Sequence, residues 1–421
     1  MGYPVLKITN GSGSLKPGDA ARKHFPVFDR YQNPELTYLD SAASTQKPLQ
    51  VINRIKDYLS YEHANIHRGA YTLSAHATEL YDQARSISAK FINSPEDKCL
   101  IFTRGTTDSI NFVATSFGNT LKAGDVILLT LLEHHSNIVP WQLLAERRGI
   151  KLEFAEITES AEINLEDFKN KLRTCKPKLV SFTALANSFG SVTPIKELTD
   201  LSHESGARVL VDAAQALAHD QIDVSKLGID FLAGSGHKIY GPTGIGILYI
   251  KSDLLGVLEP YQGGGDMISE VTVEGSSWAE APQKFEAGTP PIAEAVALGT
   301  ALQFVEAIGR DSIKAHEARL LDYAYKTLSR QKDITLYGPI TSGGEQASIL
   351  AFNLDGIHPH DLSTVADQFG VCIRAGHHCA MPALRRLGLQ STARISFGVY
   401  NTEQDIDRLE QCFEEARKIL R

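Results

Sequence analysis

With 421 residues the chain is too long for one small domain; at roughly 100–200 residues per domain it predicts two or three. Its 42 Lys+Arg against 50 Asp+Glu leave a net charge of −8, and no extended basic run interrupts the sequence, so neither nucleic acid nor an anionic membrane surface is favoured as a partner. Apolar residues at 43% and charged residues at 22% exclude wholesale disorder, and no run of about 20 apolar residues offers a transmembrane helix.

The first residues carry no charged-then-apolar signal pattern and no Arg-rich presequence, and residues 10–20 (NGSGSLKPGDA) are rich in Gly, Ser and Pro. Residues 1–23 are expected to form a flexible lead-in. From Leu36 to residue 250 short apolar runs alternate with helical patterns. The strand signals are CLIFT (99–103), DVILLT (125–130), KLVSFTAL (178–185), ARVLVD (207–212), IDFLAGS (229–235) and GIGILYI (244–250), with helical patterns at 106–117, 137–149, 164–174 and 195–205. Strands interleaved with helices of this size predict a mainly parallel sheet covered on both faces, an α/β class. The character changes near Pro290-Pro291: 292–330 reads as one long helix or a kinked pair, followed by strands at 347–354 and 393–399, a helix near 360–369 and an amphipathic helix at 402–420. The expected organisation is a large domain over 37–304, a smaller α+β domain over 305–421, and a segment 24–36 packed on the smaller one.

Five cysteines (Cys99, Cys175, Cys372, Cys379, Cys412) are an odd number with no C-x-x-C pair, which argues against both a disulfide framework and a structural zinc ribbon. A reducing, cytoplasmic setting is expected.

In an open α/β sheet ligands bind outside the carboxyl ends of the strands, so the residues just after the strands hold the chemistry. ARVLVD ends in Asp212, which alone reads as a turn or cap residue. IDFLAGS runs into Gly236-His237-Lys238, and a desolvated lysine becomes a Schiff-base nucleophile, although a lone lysine is more often solvated surface. The two together match what pyridoxal phosphate needs: an amine for its aldehyde and a carboxylate for its pyridinium nitrogen. CLIFT runs into Arg104-Gly105-Thr106-Thr107-Asp108 and a helix, offering backbone N–H groups and two hydroxyls as an anion cradle, with ordinary capping as the competing reading. Ser235 and His237 could complete it. DVILLT leads to Glu133-His134-His135-Ser136, and an imidazole there could stack on a flat ring and relay protons. Neither His134-His135 nor His377-His378-Cys379 has the spacing of a zinc site, so no metal is expected.

Taken together, YLDSAAS (38–44), NIHRGAYTLS (65–74), RGTTDSIN (104–111), EHHSNIVPW (133–141), VDAAQA (211–216), SGHKIYGPTGIGILY (235–249), FEAGTP (285–290) and RAGHHCAMP (374–382) resemble, in order, the class V aminotransferase family of fold-type-I pyridoxal phosphate enzymes. The chain is most similar to the Suf-type (group II) cysteine desulfurases, close kin of selenocysteine lyases. The resemblance implies that Lys238 holds the cofactor aldehyde, Asp212 the pyridinium nitrogen and Gln215 the ring hydroxyl side, with His134 stacked on the ring. It implies that Thr107, Ser235 and His237 hold the phosphate, joined by Thr289 from the second subunit of a homodimer. Asn187 and Arg394 would fix the substrate carboxylate, with Arg374 beside the active loop and His67 lining the cleft. ALANSFG places Ala186 where the family more often has serine, an expected loss of one supporting contact.

Cys379 decides the reaction. Cys99, Cys175 and Cys412 read as small buried hydrophobes, whereas Cys379 lies in a polar Gly-His-His-Cys-Ala segment with Arg374 nearby, where positive neighbours favour the thiolate. The resemblance implies attack by Cys379 on the sulfur of L-cysteine, giving L-alanine and an enzyme persulfide, with His134 relaying a proton. The short loop implies that a SufE-like acceptor and an iron–sulfur scaffold come to the thiol. The alternatives are a selenocysteine lyase on the same scaffold and a non-catalytic sulfur carrier.

Overall fold

The computed structural model describes residues 15–31, 35–343 and 345–421. The two-residue strand β1 (Thr37–Tyr38) comes first and pairs with a segment near the far end of the chain. Seven strands then build the large sheet: β2 (Leu100–Thr103), β3 (Val126–Thr130), β4 (Lys151–Ala155), β5 (Leu179–Thr183), β6 (Arg208–Asp212), β7 (Phe231–Ser235) and β8 (Gly246–Ile250). Their spatial order is β2-β8-β7-β6-β5-β3-β4, and β8 alone runs against its neighbours. The central strands β5, β7 and β8 are buried along their whole length, which is why they read as mostly apolar runs without a polar-apolar alternation. β4 gave no such signal because KLEFA is half exposed and carries two charges, whereas the other edge strand, β2, is buried throughout.

A hairpin of β9 (Ile268–Val271) and β10 (Ser276–Trp278) projects from the large domain with nearly every residue exposed, and so has no apolar alternation to announce it. The long helical stretch is a kinked pair, Ile292–Ile308 and Arg310–Leu328, bent by 73° at Gly309. Gly309 has φ +88°, a conformation that side-chain-bearing residues avoid. The smaller sheet is antiparallel, in the order β11-β12-β15-β14, from β11 (Ile334–Tyr337), β12 (Ile349–Leu354), β14 (Arg374–Gly376) and β15 (Thr392–Ser396); β13 (Val371–Cys372) is the partner of β1.

Among the described residues two large apolar cores and one small cluster around Val51, Ala297 and Ala301 result; helix 310–328 belongs to both large ones, with Ile313 in the larger and Leu320 in the smaller. The larger core also takes in Ala380, Ala383, Leu384 and Tyr400 from the far end of the chain. The lead-in expected over 1–23 falls outside the described residues up to position 14. Its last part is anchored, with Gly18 N–H donating to the Val399 carbonyl and Ala21 fully buried. Of the segment 24–36, residues 32–34 lie outside the described ones; Phe25 stacks edge-on against Phe304 and Tyr400, and Glu35 pairs with Arg408 of the last helix.

Candidate active site

The carboxyl ends of β2, β3, β5, β6 and β7 converge on a cavity of about 430 Å³, closed from the small domain by residues 374–379 and Arg394. All the residues singled out from the sequence line it except His67 and Thr289. Both of these are exposed; His67 instead packs its ring edge against Tyr81 at 6.2 Å, so within one chain neither reaches the site.

One half of the cavity is built from strand ends. Burial pushes the Lys238 amine down to about 8, with Asp212 pulling it back up and Arg394 and Arg374 adding to the fall. Asp212 is 4% exposed, accepts from Ala214 N–H at 2.9 Å, and is itself shifted upward by burial, offset by that hydrogen bond and by Lys238. Gln215 donates to the Ala42 carbonyl at 2.7 Å and so ties the YLDSAAS segment to the floor of the site. Hydroxyls gather at the start of helix 106–116: Ser235 Oγ donates to Thr106 Oγ1 at 2.8 Å and accepts from Thr106 N–H at 2.8 Å, and Thr107 Oγ1 lies 2.7 Å from Ser136 Oγ. Gly105 precedes that helix at φ +144°, a conformation that favours glycine, and a Cβ there would press on Ser235 Oγ at 3.3 Å.

His134 accepts from Ser136 N–H at its Nδ1 (3.0 Å), which leaves the ring proton on Nε2. Burial pushes its pKa down to about 3, helped by Lys238, so the ring is neutral at physiological pH. Burial and Lys238 likewise bring His237 to about 4. Glu133, the residue before His134, is fully buried and raised to about 8 by burial although Thr130 Oγ1 and Asn137 Nδ2 both donate to it.

The other half is assembled from distant segments. Arg374 and Arg394 face each other across β14 and β15, and one carboxylate, Asp40, serves both: Arg394 Nη2 donates to Asp40 Oδ1 at 2.9 Å and Arg374 Nη2 lies 3.0 Å from Oδ2. Two guanidiniums and one carboxylate leave a net positive charge, and Arg394 Nε, buried, meets no acceptor among the described residues. That free donor fits an incoming carboxylate. Asn187 holds the Arg394 guanidinium with its own carbonyl at 2.8 Å and donates Nδ2–H to the His378 carbonyl at 2.6 Å.

Only residues 377–380 join β14 to helix 381–386. Within them His378 and Cys379 both take positive φ, +51° and +55°, a strained pair held by its surroundings. The Cys379 carbonyl accepts from His135 N–H at 2.8 Å, and His378 Nε2 sits 2.9 Å from Thr392 Oγ1. Cys379 is exposed while Cys99 and Cys412 are buried. The spacing argument concerned neighbours in the chain; in three dimensions the possible ligand atoms of His135, His377 and Cys379 lie within 4.8 Å of one another.

Asp40, Glu133 and the backbone clamps on Cys379 were not singled out from the sequence. Asp40 sits inside YLDSAAS, so its segment was visible but its two partners, 334 and 354 residues away, were not.

The class-V aminotransferase family model matches residues 37–409. The chain belongs to that family. Among curated class-V relatives, a cysteine desulfurase of Dickeya dadantii is 44% identical over 412 residues, covering 97% of each chain. A probable cysteine desulfurase of Halalkalibacterium halodurans is 45% identical over 399 residues, covering 94% of this chain and 97% of the relative. Among solved structures, the apo cysteine desulfurase of Thermococcus onnurineus NA1 superposes with a TM-score of 0.92 at 36% identity, covering 97% of this chain and all of that one. The cofactor of this class-V chain is pyridoxal phosphate, and the donors present fit it: a buried amine of lowered pKa, a buried carboxylate and a hydroxyl cradle at a helix start.

Proposed function

We propose that the chain is a cysteine desulfurase of the group II, Suf-type kind, converting L-cysteine to L-alanine and taking the sulfur onto Cys379 for iron–sulfur cluster assembly. The observation that carries it is an exposed thiol on a four-residue loop pinned over a cavity that also holds a desolvated lysine and an arginine with a free buried donor. Pyridoxal phosphate, when bound, supplies an electron sink for charge at the substrate α-carbon. Lys238 would hold its aldehyde, Asp212 its ring nitrogen, Gln215 its hydroxyl side and His134 its face. Thr106, Thr107, Ser235 and His237 would hold its phosphate, with Thr289 of a second copy.

The remaining steps belong to this chain's side chains. Arg394 and Asn187 fix the substrate carboxylate, and Asp40 keeps Arg374 and Arg394 in register for it. Lys238, with a pKa of about 8, takes a proton from the α-carbon and returns one to the product. His134 keeps a proton at Nε2, available to the reacting groups. The Cys379 sulfur bonds to the substrate sulfur as the Cβ–S bond breaks; the bond's electron pair stays with carbon, which ends as the methyl group of alanine. Carbon is reduced and sulfur oxidised within one exchange, so no external redox partner enters.

The anchored loop is poorly placed to carry sulfur away, which supports a SufE-like acceptor that comes to the thiol and passes sulfur to an iron–sulfur scaffold; the chain would work as a homodimer. Five unpaired cysteines suit a cytoplasmic setting. The test is alanine release from L-cysteine in the presence of a reductant. We expect alanine and sulfide in equal amounts, and much slower turnover with Cys379→Ser on cysteine. Turnover of selenocysteine alone would make the protein a selenocysteine lyase instead, and no turnover of either would leave a sulfur carrier.

A further inference from the structure

The His135–His377–Cys379 cluster is not needed for any step above except through its thiol. Its two imidazoles come from different domains: His135 follows β3 and His377 follows β14, and their ring centroids are 5.6 Å apart. The hydrogen bonds fix which nitrogens are free of protons. His135 Nε2 accepts from Met381 N–H at 3.2 Å, and His377 Nδ1 accepts from Cys379 N–H at 3.1 Å. Each ring therefore turns a lone pair toward the backbone of residues 379–381, and a metal ion requires such an unprotonated nitrogen. The ligand atoms of all three residues already lie within 4.8 Å of one another. His377 and Cys379 are exposed, so rotation of their side chains can close the remaining gap of about 1 Å to the N–N and N–S separations of a tetrahedral site.

We propose that these three residues form a site for a thiophilic metal ion of the zinc type, with two imidazoles and one thiolate as ligands and a fourth position open to water. The donor set is borderline-soft, which favours Zn²⁺ over Mg²⁺ or Ca²⁺. Binding exchanges two long backbone hydrogen bonds for metal–nitrogen bonds and removes the thiol proton to solvent. No electron moves, so the site is reversible and a chelator restores the thiol. Its consequence rests on the reading of Cys379 as the sulfur acceptor: an occupied site ties up that sulfur and arrests transfer, while the cofactor half of the cavity is untouched.

The test uses the cofactor-loaded protein and Zn²⁺ alone. Zinc affinity is measured by competition with a chromophoric chelator, and access to Cys379 by mass spectrometry of iodoacetamide-labelled peptides. We expect one tight site per chain, protection of Cys379 but not of Cys175, and full recovery with a chelator. His377→Gln and His135→Gln should each weaken zinc at least about tenfold and restore labelling at the same zinc concentration. Because His377 is exposed, its variant should fold even if that of His135 does not. Equal protection in wild type and both histidine variants would show that the thiol binds zinc without the imidazoles and overturn the site; so would failure of zinc to protect Cys379 at all. Either failure can occur in a protein that still releases alanine from cysteine, so it is separable from failure of the functional reading.

Discussion

The two halves of the cavity are built on different principles. The cofactor half comes from consecutive strand ends, each delivering its residue within a few positions of a buried apolar run: Asp212 ends β6, and Lys238 follows β7 by three residues. The thiol half has no such local logic. Asp40 reaches Arg374 and Arg394 across more than 300 residues, Asn187 holds the His378 carbonyl across 191, and His135 holds the Cys379 carbonyl from the opposite domain. The first half is preorganised by the sheet; the second depends on how two domains meet, and substitutions in the two should fail differently.

The sharpest contrast is Lys238→Ala, which removes the aldehyde anchor and the proton carrier together. Turnover of L-cysteine should fall by at least about 10³-fold and the visible absorbance of the bound cofactor should change, while the melting temperature stays close to wild type. Retained turnover measured as alanine release would break the assignment of the cofactor half.

Next is the support beneath it. Arg85 and Glu286 are a buried pair at 2.7 Å, and Glu286 also accepts from Phe102 N–H in β2, so the FEAGTP segment is locked to the strand that leads to the phosphate cradle. Arg85→Ala leaves a buried carboxylate unpaired and should cost roughly 3–5 kcal/mol in denaturant unfolding. A loss below about 1 kcal/mol would mean the pair is better solvated than its burial indicates.

In the thiol half, Asp40→Asn should leave folding intact but set two guanidiniums against each other with no anion between them. The effect should fall mainly on KM for L-cysteine, with kcat/KM down by about 10–100-fold. An unchanged KM would show that Arg394 needs no such orientation.

The smallest effect is a pH dependence confined to the cofactor half. Burial lowers the Lys238 pKa to about 8, so the protonated, unreactive amine dominates below that value. Capture of pyridoxal phosphate by the cofactor-free protein, followed by absorbance, should speed up about tenfold per pH unit up to pH 8 and level off above it. A rate still climbing toward pH 10 would indicate a solvated lysine.

The same contrast explains what was legible in the sequence. Lys238, Asp212 and Thr106 could be found because a strand, a turn and a polar residue are neighbours in the chain. The edge strand β4, the exposed β9–β10 hairpin and the role of Asp40 could not, because exposure erases the apolar period and long-range pairing leaves no local trace. His67 was expected to line the cleft and lies outside it, its ring turned to Tyr81; Thr289, expected to act from a second subunit, also lies outside the cavity of this chain. The two-histidine, one-cysteine cluster escaped for the same reason as Asp40: its ligands are 242 residues apart between His135 and His377.

The central claim is that sulfur from L-cysteine lands on Cys379. Mass spectrometry of peptides after a short incubation with L-cysteine, without reductant, tests it directly. One added sulfur atom on the peptide carrying Cys379, absent in Lys238→Ala, is the predicted result; sulfur found only on Cys99, Cys175, Cys372 or Cys412 would contradict it.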